Sequence, residues 1–232
     1  MLIATALHRF SRILLAPRCL ACGEPGHGGL DLCETCRAQL PWNQDACRQC
    51  GIGLATAGQS HCGACRLDPP PFTHAFCPLH YRFPVDRLLP RFKFHGDLAA
   101  GELLATLMQW PLDPGDLPQA LVPVPLHRSR LRARGYDQAL ELARALARGI
   151  GVPVCANALV RGRATRPQTE LGAAERRHNM RDAFALRADA SLPMHVALVD
   201  DVLTTGATLA DCALVLVQGG VQRVDAWTIA RA

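Results

Sequence analysis

Hydrophobic and polar positions divide the chain into three stretches with different periods. Residues 1–18 carry Leu2, Ile3, Ala6, Leu7, Phe10, Ile13 and Leu14 at helical spacing, which predicts an amphipathic helix. Residues 19–70 hold no sustained period; cysteine, glycine and short polar runs dominate them. The stretch RLDPPPFTH follows, and its three consecutive prolines predict a stiff connector. From 71 to 232, apolar runs alternate with amphipathic segments. AFCPLHYRF reads as strand and LAAGELLATLMQW as helix. ALVPVPL reads as a buried strand, and DQALELARALARGI as a helix with Leu140, Ala143, Leu146, Ala147 and Ile150 on one stripe. VPVCANALV suggests another strand. HVALVDDV is the strongest strand, with apolar residues 196–199 ending at Asp200 and Asp201. TLADCALVLVQGG is a helix stopped by two glycines, and VDAWTIA is a closing strand. Strands alternating with helices predict an α/β domain with a largely parallel sheet.

Composition narrows this picture only a little. With 49% hydrophobic and 19% charged residues, the chain has the balance of a globular protein, so wholesale disorder is excluded. A net charge of +5 is compatible with a polyanionic partner without demanding one. Every basic residue except Lys93 is arginine, which makes that one lysine conspicuous. His8, Arg9 and Arg12 interrupt any signal-peptide core, and no apolar run reaches the length of a bilayer span. The expectation is a cytoplasmic protein without stable membrane insertion, whose thiols stay reduced.

Eight of the 11 cysteines form four C-x-x-C pairs: Cys19/Cys22, Cys33/Cys36, Cys47/Cys50 and Cys62/Cys65. They repeat in finer detail. CLACG precedes CETCR, and CRQCG precedes CGACR, so glycine follows the first pair of each unit and arginine the second. Two such units read as sequential zinc ribbons holding two structural Zn²⁺ ions. Each C-x-x-C turn sets two thiolates on one side of a tetrahedral ion, and the glycine permits the positive φ such a knuckle needs. A disulfide framework and a redox-active dithiol are the competing readings. The absence of an export signal weighs against the first, and the fourfold repetition against the second. His27 and His61 lie nearby but are not needed as ligands, and Cys77, Cys155 and Cys212 read as small core residues.

In a parallel sheet, ligands bind at the carboxyl ends of strands. After the 196–199 run come Asp200 and Asp201, then Thr204, Thr205, Gly206, Ala207 and Thr208 at a helix start. Free N–H groups there, with the helix dipole and three hydroxyls, suit an anion. Two carboxylates repel that anion but accept hydrogen bonds from hydroxyls on the same ligand. The combination describes a sugar phosphate. An Asp-capped strand–turn–helix without a ligand is the plainer alternative. No G-x-x-x-x-G-K-[ST] occurs, so a Walker loop is excluded.

VALVDDVLTTGAT resembles the phosphoribosyl diphosphate (PRPP) signature of type I phosphoribosyltransferases. VPVPLHRSRLRARGYDQALELARALA, RPQTELGAAERRHNMRDAF and RFKFHGD resemble segments of the ComF family, and the eight-cysteine double zinc ribbon completes the likeness over nearly the whole chain. One departure is Asp137, where the family pattern has Asn.

The resemblance implies a type I phosphoribosyltransferase-like sheet flanked by helices behind an N-terminal double zinc ribbon. The boundaries would be a helix over 1–18, ribbons over 19–70 and the α/β domain over 71–232. By similarity, Asp200 and Asp201 hold the ribose hydroxyls of PRPP and count as the catalytic pair. Thr204, Thr205, Gly206, Ala207 and Thr208 wrap its 5-phosphate, and Mg²⁺ rides mainly on ligand oxygens. Arg128, Arg130, Arg132 and Arg134 follow a strand in the region where such enzymes bind pyrophosphate, with Lys93 a further candidate. Gln168, Arg176 and Arg177 fall in a loop placed to close over it. Nothing in the sequence identifies an acceptor. Three readings therefore stand: a transferase with an unknown nucleophile linked to DNA uptake; a PRPP or nucleotide sensor that binds single-stranded DNA, with Trp42 the main base-stacking candidate, and works with DNA-uptake proteins; and a zinc scaffold with a vestigial site.

Overall fold

The computed structural model describes residues 17–56, 58–162 and 183–232. The expected N-terminal helix and the segment holding Gln168, Arg176 and Arg177 lie outside them, as does most of RPQTELGAAERRHNMRDAF. The described helices are α1 (Glu34–Ala38), α2 (Gly63–Leu67), α3 (Val85–His95), α4 (Leu98–Gln109), α5 (Arg128–Arg134), α6 (Gln138–Ile150) and α7 (Ala207–Gln218). The strands are β1 (His74–Phe76), β2 (Leu79–His80), β3 (Ala120–Pro123), β4 (Leu159–Arg161), β5 (Phe184–Leu186), β6 (His195–Leu203) and β7 (Arg223–Arg231).

The central sheet runs β1–β7–β6–β3, with β2 pairing further along the same edge of β7. Every pairing in it is parallel. A parallel bridge between Leu121 and Val154 adds one more residue pair beyond β3. β4 and β5 form a separate antiparallel pair. The strands read as continuous apolar runs because both faces are covered. Leu121, Ala197, Val199, Trp227 and Ile229 pack under α3, α4 and α6. Ala120, Val122, Val196, Leu198, Val224 and Ala226 pack under α7 and the β4–β5 pair. That alternation is the period-2 geometry of a strand, and it makes a three-layer α/β domain.

The structure refines the sequence reading at four places. AFCPLHYRF yields two short strands interrupted at Cys77–Pro78, because proline cannot donate to a ladder. VPVCANALV contributes only a bridge at Val154 and the start of β4. VDRLLPRFKFH forms α3, although Pro90 lies within it. β6 continues through Leu203, with Asp200 in register with Thr228 and Val202 with Ala230, so the acids belong to the strand itself.

The ribbons pack against this domain. Cys19, Leu32, Cys33, Cys36 and Leu40 share the apolar cluster of α3, α4 and α6. Arg91 on α3 donates to the Leu20 carbonyl at 2.8 Å. In the second ribbon, Asn43 Nδ2 donates to the carbonyls of Gly51 and Cys77 at 2.9 and 3.0 Å.

Candidate functional site

The eight ribbon thiols converge in two groups, Cys19/Cys22/Cys33/Cys36 and Cys47/Cys50/Cys62/Cys65. Within each group the ligand atoms lie within 4.8 Å of one another. A tetrahedral Zn–S₄ centre has an S···S edge of roughly 3.8 Å. Cys22 Sγ lies 3.6 Å from Cys33 Sγ, and Cys50 Sγ 3.7 Å from Cys62 Sγ, so both groups fit that ion. The pairing is sequential: each ribbon closes on its own four cysteines. Cys33 and Cys62 also cap α1 and α2, accepting from the N–H groups of Cys36 and Cys65. Burial alone would raise the Cys19 and Cys47 thiols, but hydrogen bonds from backbone N–H groups outweigh it. They fall to about 6 and about 7, which favours the thiolate zinc requires. Gly51 has φ +68°, and a Cβ there would meet Cys77 Sγ at 2.9 Å, so the glycine serves both the knuckle and its close approach to the sheet.

The second site gathers at the carboxyl end of β6. Consecutive strand residues face opposite sides, so the two acids part company. Asp201 turns toward α3, is 4% exposed and pairs with Lys93 Nζ at 2.8 Å. Asp200 turns toward α7 and the β4–β5 pair, where its charge acts on Cys212 and Arg161. Asp200 Oδ1 accepts from the Asp201 N–H at 2.8 Å. Burial, and next the Asp201 charge, push the Asp200 carboxyl up to about 7.

Beyond the acids, Thr204 and Thr205 are exposed, and Gly206 begins α7. Gly206 has φ +79°, and a Cβ would stand 3.3 Å from Leu203 Cδ1, so this left-handed turn selects glycine. Gly206 gives α7 no side-chain cap, and among the described residues the one side-chain acceptor at its start is Thr205 Oγ1, 3.4 Å from the Ala207 N–H. The first-turn N–H groups of a helix lack intrahelical partners, and an uncapped helix start of this kind is a setting in which an anion can be held. Asp200 and residues 202–209 line a small polar recess of about 50 Å³. It opens beside a larger groove of about 470 Å³ between the turn and the second ribbon, walled by Pro69–Phe72 and Arg231. Arg231 joins the two bodies: Nε donates to the Cys50 carbonyl at 3.2 Å and Nη1 to the Leu203 carbonyl at 2.9 Å.

Of the candidate cations, Lys93 reaches the acids, while Arg134 stacks on Phe94 of α3 at 5.2 Å. The charges of Arg134 and Asp201 both act on Tyr136, which also packs on Phe92 at 6.1 Å. Arg128 opens α5, and Arg130 and Arg132 lie exposed along it. Asp137 caps α6: its carboxylate accepts from the N–H groups of Leu140 and Leu126 at 3.2 and 3.3 Å. An asparagine oxygen can accept from Leu140 and keep the cap, but its amide nitrogen cannot accept from Leu126. Arg161 was not singled out in the sequence. It lies half-buried over Phe184 at 5.0 Å, and burial first, then the charge of Arg130, lower its pKa. No periodicity distinguishes it from its arginine neighbours.

Fold and sites together define a class: a double zinc ribbon docked on a parallel α/β domain whose central strand ends in an acid pair and a threonine–glycine turn. A family model, the double zinc ribbon domain, matches residues 10–66. Over 224 residues the chain is 35% identical to competence protein F of Haemophilus influenzae, covering 93% of this chain and 97% of that protein. It is 32% identical over 225 residues to the DNA utilization protein YhgH of Escherichia coli, covering 92% and 96%. The YhgH protein of Salmonella typhimurium is also 32% identical, over 222 residues. The chain belongs to the ComF family.

Proposed function

We propose that the protein binds PRPP with Mg²⁺ at the end of β6 and acts in the uptake or use of DNA. The observation that carries the first part is the D-D-x-x-T-T-G-A-T stretch, whose acids stand beside an uncapped helix start with a left-handed glycine. The names of the relatives, competence protein F and DNA utilization protein, support the second. In this reading the N–H groups of Ala207 and Thr208, with the hydroxyls of Thr204, Thr205 and Thr208, receive the 5-phosphate. Asp200 and Asp201 accept from ribose hydroxyls, and diphosphate lies toward Lys93 and the α5 arginines Arg128, Arg132 and Arg134, with Arg176, outside the described residues, a further candidate by resemblance. Mg²⁺ is held mainly by ligand oxygens.

As a transferase, the site would act on C1 of the ribose. The C1–O bond breaks, diphosphate leaves with the electron pair, and an acceptor nucleophile bonds to C1 as it loses its proton. The chain's part is charge stabilisation and exclusion of water. Asp200, half-buried beside a positively charged ribose, would stabilise that charge once ionised. The ribbons at 19–70 would remain a scaffold for the α/β domain at 71–232. A second reading, a non-catalytic PRPP sensor that handles single-stranded DNA, is favoured by the relatives' names and by the absence of any recognisable acceptor pocket in the sequence.

Thermal shift with PRPP and Mg²⁺ tests the phosphate half of the site. Wild type gains several degrees, ribose 5-phosphate gives part of that gain, and Thr205→Ala/Thr208→Ala reduces both. A gain that is the same in the variant removes the turn from the site. Release of diphosphate only when an acceptor is added then separates transferase from sensor.

A further inference from the structure

A groove of about 620 Å³ lies between the ribbons and the β1 edge of the sheet, away from the acid pair. Trp42, Trp110, Phe76, Arg48, His74 and Gln44 line it. The chain has three tryptophans, and all gather here: Trp42 and Trp110 have ring centroids 6.1 Å apart, and Trp227 stands 5.3 Å from Phe76. Trp110 remains 42% exposed at the end of α4, with Arg37 over its ring at 5.2 Å. A large indole left in water beside a second one is uncommon, because each offers substantial apolar area to bury.

The platform is held from both sides. The N–H of Trp42 donates to the Leu40 carbonyl at 2.9 Å, and Asn43 pairs with Pro78 at 2.9 Å. The N–H of Ala75 donates to the Arg48 carbonyl at 2.8 Å, tying the opposite wall to β1. No carboxylate occurs among the described lining residues, and the exposed Arg48 side chain makes no ion pair with another described residue. Asp45 belongs to the same loop but is not part of the lining. Burial holds His74 below the usual imidazole range, against the charges of Asp225 and Asp116, which raise it.

We propose that this groove binds the bases of single-stranded DNA, stacking them against Trp42 and Trp110 while Arg48 meets the phosphates. Aromatic faces beside an exposed guanidinium group, with no carboxylate in the lining, are the chemistry of sequence-tolerant single-strand binding. A duplex hides its base faces and gains only the phosphate contacts. The inference rests on the reading that the protein handles DNA, but not on the PRPP site.

The test is fluorescence anisotropy of labelled oligothymidylate titrated with the zinc-loaded full chain. Wild type binds and its tryptophan emission is quenched, whereas a duplex of the same length binds weakly. Trp110→Ala weakens binding about five- to a hundredfold, the range of one lost stacking contact, and Trp110→Phe recovers part of it. Arg48→Ala weakens binding and lowers its salt dependence. Both variants keep two zinc ions and the same PRPP heat as wild type, which separates lost contact from lost fold. Binding of oligothymidylate with unchanged affinity by both variants overturns the groove while leaving DNA handling intact. No binding by wild type overturns DNA handling and the groove together, and leaves the PRPP reading standing.

Discussion

Lys93 and Asp201 form an ion pair whose two members are unequally exposed: the side chains are 30% and 6% accessible. Removing the lysine strands a buried carboxylate, a cost of about 1–3 kcal/mol given the partial exposure of its partner. Lys93→Met therefore lowers the urea midpoint, and Lys93→Met/Asp201→Asn restores most of the loss. An unchanged midpoint in the single variant would leave the lysine no structural role. The conspicuous lysine was visible in the sequence. Its partner was not, because 108 positions separate the two and only the α3–β6 packing joins them.

Asp200 makes a pH-dependent contribution of definite sign. Its carboxyl is held up at about 7 by burial and by Asp201, whereas in the unfolded chain it releases its proton near the ordinary value of 3.8. Between these values the folded state holds the extra proton, so stability is greatest below the lower value and declines as pH rises to the upper one. Asp200→Asn keeps the shape and removes the titration. Its melting temperature exceeds that of wild type at pH 8 and converges with it near pH 4; curves that stay parallel throughout would contradict the assignment. The sequence identified the acid pair but not its division between two faces, since that follows from β6 running on past Asp200.

At the scale of elements, the ribbons were the most legible part. Four C-x-x-C pairs in two repeated units point to the ligand type and to two ribbons, because each knuckle is built within a few residues; which four thiols share an ion comes from the two groups the structure brings together. Atomic emission is expected to find two zinc ions per chain, and Cys36→Ser, which breaks the first site, to leave one. Loss of both ions from that variant would show the ribbons to be a single cooperative unit. Helices α3 and α5 were less legible. α3 carries Pro90 inside its pattern, and α5 is so rich in arginine that no apolar stripe marks it. Both are held by packing against the layer they cover, and that information is not local.

At the scale of the whole molecule, the three-layer domain could be read from alternating periods, because the central strands β3, β6 and β7 are buried on both faces. The seating of the ribbons could not. It depends on contacts such as Arg231 with Cys50, which are far apart in sequence and involve backbone carbonyls that no residue pattern reveals. That seating makes both grooves beside the ribbons, one against the threonine–glycine turn and one against the tryptophans. Among the described residues no helix is long and apolar enough to cross a membrane.

The account depends most on the claim that the acids and the turn form one ribose-phosphate site. Isothermal titration of PRPP with Mg²⁺ into wild type and Asp200→Asn/Asp201→Asn is the direct measurement. A saturable one-to-one heat for wild type that falls at least tenfold in affinity in the double variant is the expected result. Equal heats from both proteins, or none from either, would contradict it.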